Sequence, residues 1–180
     1  MKPIRKKYTL HHFYLKDNGI FPNSALPVLH YSHILDLPLL FPAKSVEALF
    51  ESNNWCNFQK SGIYKYHHYH SMTHEAIAVL KGETTLMLGG NHGVRLEIRK
   101  GDVLIIPAGV AHKNLGHQNQ VRCLLAYPNG KVYDMRYGEQ GERPKTDDNI
   151  RQVPIPAYDP VLGAEGALFK FWQVNQEIAP

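Results

Sequence analysis

Between residues 56 and 127 the chain is a series of strand-length, β-rich pieces cut by glycines at 62, 82, 89–90, 93, 101, 109 and 116. Short strands joined by glycine turns, with no helix between them, leave a sandwich or a barrel as the fold. The piece "VRLEIRKGD" at 94–102 shows the pattern most clearly. Val94, Leu96 and Ile98 fall on one face, and Arg95, Glu97 and Arg99 on the other, as a half-buried strand requires. Before this region, "YTLHHFYL" at 8–15 reads as extended, "DNG" at 17–19 as a turn, and 26–35 as a strand interrupted by Pro27. One helix is predicted over 42–53, where Val46, Leu49 and Phe50 form an apolar stripe. Pro42 suits its first turn and Asn53–Asn54 its exit. After 128 the chain becomes irregular, and the prolines of "RQVPIPAYDPVLG" exclude a central strand. This predicts one domain over 1–180: a core barrel at about 56–127, N-terminal strands and helix in 1–55, and an extension over 128–180 that wraps the barrel or a partner subunit.

Composition narrows the class. A chain of 180 residues, 43% apolar and 20% charged, can bury an ordinary core. Lys and Arg exceed Asp and Glu by 20 − 16 = 4, and the excess is spread out. The run "RKK" at 5–7 is too short to predict a nucleic-acid partner. Cys56 and Cys123 form no CxxC pair, which suits a reduced, cytoplasmic setting. The first residues hold no apolar stretch for a signal peptide, and no window approaches the roughly 18 apolar residues of a membrane span. A soluble cytoplasmic protein without a membrane partner is the expectation.

The stretch "YKYHHYHSMTHE" at 64–75 puts four histidines and a glutamate within twelve residues. Side chains two apart in a strand share a face, so His68 and His70 stand together with Cα atoms roughly 6.5 Å apart. Two imidazoles at that spacing can converge on one ion, while His67 and Tyr69 point the other way. Glu75 lies far enough on to face the same ion from a neighbouring strand, and His112 is a candidate fourth ligand. Tyr66 shares the parity of His68 and His70, which directs its hydroxyl into the same cavity as a substrate-orienting or proton-donating group. Filling of the barrel explains Tyr66 equally well. Tyr64 reads as core or rim, and His74 as a surface histidine or one behind the ligands. For an isolated His-x-His, the bland reading is a pair of strand histidines satisfied by ordinary partners.

The full spacing goes further. Gly62, five residues, His68, one, His70, four, Glu75, six, Gly82 is followed by Gly101, five residues, Pro107, one, Gly109, two, His112. These segments resemble the two motifs of the cupin superfamily. Agreement at all nine positions by chance is roughly 10⁻¹¹ per placement at ordinary composition. "HHYHS", "PAGVAHKN", "AYP" and the late "VPIP" region also resemble an uncharacterised bacterial group of single-domain cupins. The resemblance implies an all-β, double-stranded β-helix (jelly-roll) barrel, with one short N-terminal helix and an irregular C-terminal extension. It carries a metal-ligand role onto His68, His70, Glu75 and His112. One departure stands out: the second motif often ends with asparagine four residues after its histidine, and residue 116 is Gly, with Asn114 nearest.

Imidazole and carboxylate donors suit Fe, Mn, Ni, Co or Zn. Four protein ligands leave positions open on a six-coordinate ion. The resemblance therefore implies a metal-dependent enzyme on a small polar molecule, with a dioxygenase-like oxidoreductase favoured and Tyr66 as the catalytic candidate. Two other readings compete: a Lewis-acid isomerase or lyase, and a non-catalytic cupin that binds or senses a small ligand. Pairing of the barrels as a homodimer is a further implication of the family.

Overall fold

The structure is a computed structural model and describes residues 3–117 and 119–172. Its frame is β4 (Glu75–Leu88), fourteen residues long, which pairs with four other strands. The first half of β4 lies between β6 (Val103–Ile106) and β8 (Val121–Pro128). Its second half pairs with β5 (Val94–Arg99) and β7 (His112–Asn114). The sheet runs β1 (Thr9–Leu15), β2 (Ser24–Ser32), β6, β4, β8, β3 (Trp55–Ser61), with every pairing antiparallel. One strand shared between two sets of partners closes the all-β barrel that the glycine spacing predicts.

The run "EAIAVL" that opens β4 is apolar on both faces because both faces are covered. Ile77 and Val79 point into the barrel with Leu104, Ile106 and Cys123. Ala76 and Ala78 point outward, where their small side chains let α1 (Pro42–Glu51) approach the sheet. Val46, Leu49 and Phe50 are the buried stripe of that helix, as their spacing predicts. Phe41 enters it in the left-handed region at φ 54°, and Pro42 takes the first turn.

The described segment after β8 packs on β2 and on the histidine segment, and it contains two helices that the sequence reading missed. These are α2 (Lys145–Gln152) and α3 (Ala167–Trp172). The first has almost no apolar stripe: Thr146 is its buried residue, and Arg143 bonds Asp147 at its start. The second is too short to show a period. Tyr31 Oη donates to Asp159 Oδ2 at 2.7 Å, and the Trp172 indole donates to Pro27 O at 2.9 Å, so β2 anchors both ends of this segment.

A buried carboxylate also fixes the approach to β6. Asp102, 1% exposed, accepts the N–H groups of His33 and Arg99 and lies 3.0 Å from His30 Nε2. Burial works to raise its pKa, but these donors outweigh burial and hold it below the usual carboxylate range. A depressed pKa gives stability that is present above the unfolded value, near pH 4, and is lost as pH falls through the folded value. We expect Asp102→Ala to cost about 2–4 kcal/mol at pH 7 in urea unfolding. The gap from wild type should shrink below about pH 4.

Candidate metal centre

The site forms where an irregular segment meets the mouth of the barrel. His68 pairs with His112 across two backbone hydrogen bonds, of 3.2 and 3.0 Å, and Gly109 N–H donates to His70 O at 2.8 Å. This pairing sets His68, His70 and His112 on one wall. Glu75, first residue of β4, has the inward parity of Ile77 and Val79 and faces them from the opposite strand. Gly109 permits the tight turn before His112. It sits at φ +93°, and an added Cβ would come within 2.2 Å of Asn23 O.

All four side chains are at most 5% exposed. His70 Nε2 lies 3.6 Å from Glu75 Oε1, and His112 Nε2 lies 3.3 Å from Oε2. The His68 and His112 ring centroids are 4.2 Å apart, and those of His68 and His70 6.0 Å. The opposite nitrogens are fixed by main-chain carbonyls. His68 Nδ1 is 3.2 Å from Tyr66 O, His70 Nδ1 2.6 Å from Asp134 O, and His112 Nδ1 3.1 Å from Val110 O. A carbonyl only accepts, so each Nδ1 carries the hydrogen, and a neutral ring keeps its lone pair on Nε2. Glu75 Oε2 is buried with no hydrogen bond, and Oε1 accepts one from Tyr127 Oη at 3.1 Å. The four groups face one another without closing: among the described residues no three His, Cys, Asp or Glu side chains stand close enough, as placed, to hold a metal ion.

Burial alone would raise the Glu75 pKa, but His70 and His112 hold it well below the carboxylate range. Burial alone would lower His70, and Glu75 outweighs it, so that ring is raised. His68 is lowered to about 3 by burial and by His112, and is neutral at physiological pH. Burial and Glu75 both push the Tyr127 phenol up, so it stays protonated and donates.

A cavity of about 80 Å³ opens onto the three histidines, walled by Tyr64, Tyr127 and Tyr133 among others. Tyr66 does not line it. Residues 65–66 form a bend, which ends the strand alternation, and the Tyr66 ring stands half-exposed at the rim. It stacks on Tyr64 at 5.0 Å and lies 6.1 Å from the His68 ring. His67 turns away, onto Phe21 and Asn91. His74 also turns away, but it is buried, accepting the Ala108 N–H and packing on Trp172. Asn114 ends β7 by accepting from Thr84 Oγ1 and Gly116 N, which supplies the turn contact at a sequence that departs from the motif.

Two important residues escaped the sequence reading. Tyr127 was legible in principle, since Cys123, Leu125 and Tyr127 alternate along β8 and Cys123 faces the barrel. Asp134 left no signal. It lies in an irregular segment, and its side chain takes the Ser71 and Met72 N–H groups while its carbonyl holds His70.

Comparisons with known proteins bear on this geometry. The cupin domain family model matches residues 54–127. An uncharacterised Bacillus subtilis protein, YjlB, is 34% identical over 161 residues, covering 89% of this chain and 94% of its own. The chain is a cupin. Among solved structures, this cupin is similar to acireductone dioxygenase from Bacillus anthracis, solved with a cadmium ion in its active centre. That pair shares 12% identity at a TM-score of 0.39, over 53% of this chain and 64% of the other. A vicilin from Solanum melongena gives 22% identity and a TM-score of 0.36, over 44% of this chain and 24% of the vicilin. The cupin thus spans just under two thirds of the dioxygenase and about a quarter of the vicilin. No described helix is long and apolar enough to cross a membrane.

Removing the Tyr127 hydroxyl leaves Glu75 without its hydrogen-bond donor. In chelator-treated protein, Tyr127→Phe is expected to lose about 1–2 kcal/mol in thermal or urea unfolding. An unchanged midpoint would show that the Tyr127–Glu75 contact does no work.

Proposed function

We propose that this cupin is a metal-dependent enzyme of dioxygenase-like type, acting on a small polar molecule, with His68, His70, Glu75 and His112 holding one divalent ion. The observation that carries this reading is the shared orientation of the three imidazoles. Each gives its Nδ1–H to a main-chain carbonyl, an arrangement that fixes the tautomer of metal-ligating histidines. Where the Nε2 atoms carry no proton, an ion between them and Glu75 would supply the positive charge that a protonated ring otherwise gives.

Two of the donor separations approach those an ion needs. Two donors each about 2.1 Å from one centre lie about 3.0 Å apart in octahedral geometry and about 3.4 Å in tetrahedral. The separations to Glu75 here are 3.6 and 3.3 Å. The unpartnered Glu75 Oε2 is the atom that such an ion would satisfy. A set of three nitrogens and one carboxylate suits Fe, Mn, Ni, Co or Zn. When bound, the ion supplies Lewis acidity and, as iron, redox chemistry.

The chain's own residues do the rest. Asp134 and the backbone at 66 and 110 hold the rings in place, Tyr127 holds Glu75, and the aromatic wall excludes water. Of the tyrosines, we assign substrate contact to Tyr64, which lines the cavity, and support of its ring to Tyr66, stacked behind it. The same proposal makes the protein a cytoplasmic homodimer with a small-molecule partner and no nucleic acid. Two free cysteines support a reducing compartment.

A second reading has its own support. A cavity of about 80 Å³ is well below the roughly 300 Å³ of most ligand sites. So small a space suits a binder or sensor of a small ligand, or a Lewis-acid isomerase or lyase on a very small substrate.

Protein purified without added ions or chelating resin should carry about one divalent ion per chain by mass spectrometry, and His70→Ala should carry almost none. Equal metal in that variant would remove the assignment. Iron content with substrate-dependent oxygen uptake supports the dioxygenase reading; tightly held zinc without uptake moves it to the alternatives. Tyr64→Phe should keep the metal and lower turnover more than Tyr66→Phe does.

A further inference from the structure

A second concavity lies outside the barrel, on the face formed by β3, β4 and β8. Its volume is about 730 Å³, within the range of small-molecule sites. Lys60, Lys81, Lys100 and Arg122 line it, and no acidic side chain does. Lys60 is paired with Glu47 at 2.8 Å. No ion pair among the described residues involves Lys81, Lys100 or Arg122.

The placement of these cations works against folding. Lys81 and Arg122 are register partners on neighbouring strands, directly opposite one another. Like charges in that position destabilise a sheet. A local rule broken without a compensating contact marks a functional position more often than a scaffold one.

Apart from Ser61 and Asn119, the rest of the lining is apolar or glycine. Leu80, Pro42 and Ala43 line the concavity, and Leu39 reaches it from the loop before α1. That loop exposes three consecutive large apolar residues: Leu39 is 95% exposed, Leu40 77% and Phe41 70%. A trough with an apolar side, and with cations that form no ion pair among the described residues, is complementary to a ligand that has a hydrocarbon body and a negative head.

We propose that this groove binds a free, single-chain amphipathic anion, its head at Lys81, Lys100 and Arg122 and its chain along Leu39, Pro42 and Leu80. A second copy of the chain packed about a two-fold axis here would bring cations onto cations. A bilayer is flat and meets the rim of a concave groove, leaving its floor bare. The groove shares Ser61 and Gly62 with the histidine cavity, but its cations lie outside that cavity and its binding does not depend on the metal.

The probe is dodecyl phosphate, kept below its micellar concentration and titrated into the full chain by calorimetry. Saturable binding at one per chain is expected, with inorganic phosphate and dodecanol each at least tenfold weaker. The double variant Lys81→Ala, Arg122→Ala should lose at least tenfold in affinity while its melting temperature rises, because the repulsion has been removed. A merely structural pair of cations would not give that combination. Unchanged affinity in the double variant overturns the proposal, as does inorganic phosphate binding as well as dodecyl phosphate. So does binding to phosphatidylglycerol vesicles with none to the free amphiphile. Leu39→Ser should weaken dodecyl phosphate binding at constant molecular mass in light scattering. A fall in mass with binding intact would make the face an interface between copies and overturn the proposal.

Discussion

A carboxylate buried as deeply as Glu75 is driven to take up a proton unless something positive or hydrogen-donating stands against it. Here that counterweight is assembled from distant parts of the chain. His70 comes from the irregular segment before β4, His112 from the start of β7, and Tyr127 from the end of β8. None of the three has Glu75 as a sequence neighbour, and each reaches it only when β4 has found its partners. The electrostatics of the site and the closure of the barrel are therefore one problem. Misplacing any of these strands leaves a buried charge uncompensated, a more costly error than losing a surface contact.

The long strand β4 makes that closure work by serving two sets of neighbours. Its alternation divides the core: Ile77 and Val79 fill the barrel, while Ala76 and Ala78 make room for α1. Glu75 is the polar first step of the inward row. The same parity that buries valine and isoleucine carries the carboxylate to the histidines, so no separate device is needed to aim it.

Much of this was legible in the residues because it follows local rules. Period-two alternation found β5, the apolar stripe found α1, and glycine spacing found the barrel. His68 and His70 share a wall because strand parity holds across 68–70. Parity fails two residues earlier, at the bend of 65–66, and there Tyr66 leaves the cavity and Tyr64 enters it. Reasoning by alternation is only as good as the strand is regular. The helices α2 and α3 were illegible for another reason. Tertiary contacts to β2 and the barrel hold them, and neither has the length or the periodicity to show in sequence.

The extension also shows why the motif stretch is not the whole site. Residues 54–127 hold all four converging side chains, but the carbonyl that fixes His70 belongs to Asp134. Asp134 is in turn held by Ser71, Met72 and Arg136, and Ser71 is bonded by Asn149 of α2. Tyr133, stacked on Tyr127, completes the aromatic wall from the same segment. A chain cut at 127 would keep every donor and lose the part that orients one of them. The segment after β8 is thus the outer support of the histidine cluster. Its irregular course follows from that role, because it must reach both the 70–71 segment and Tyr127 at the end of β8.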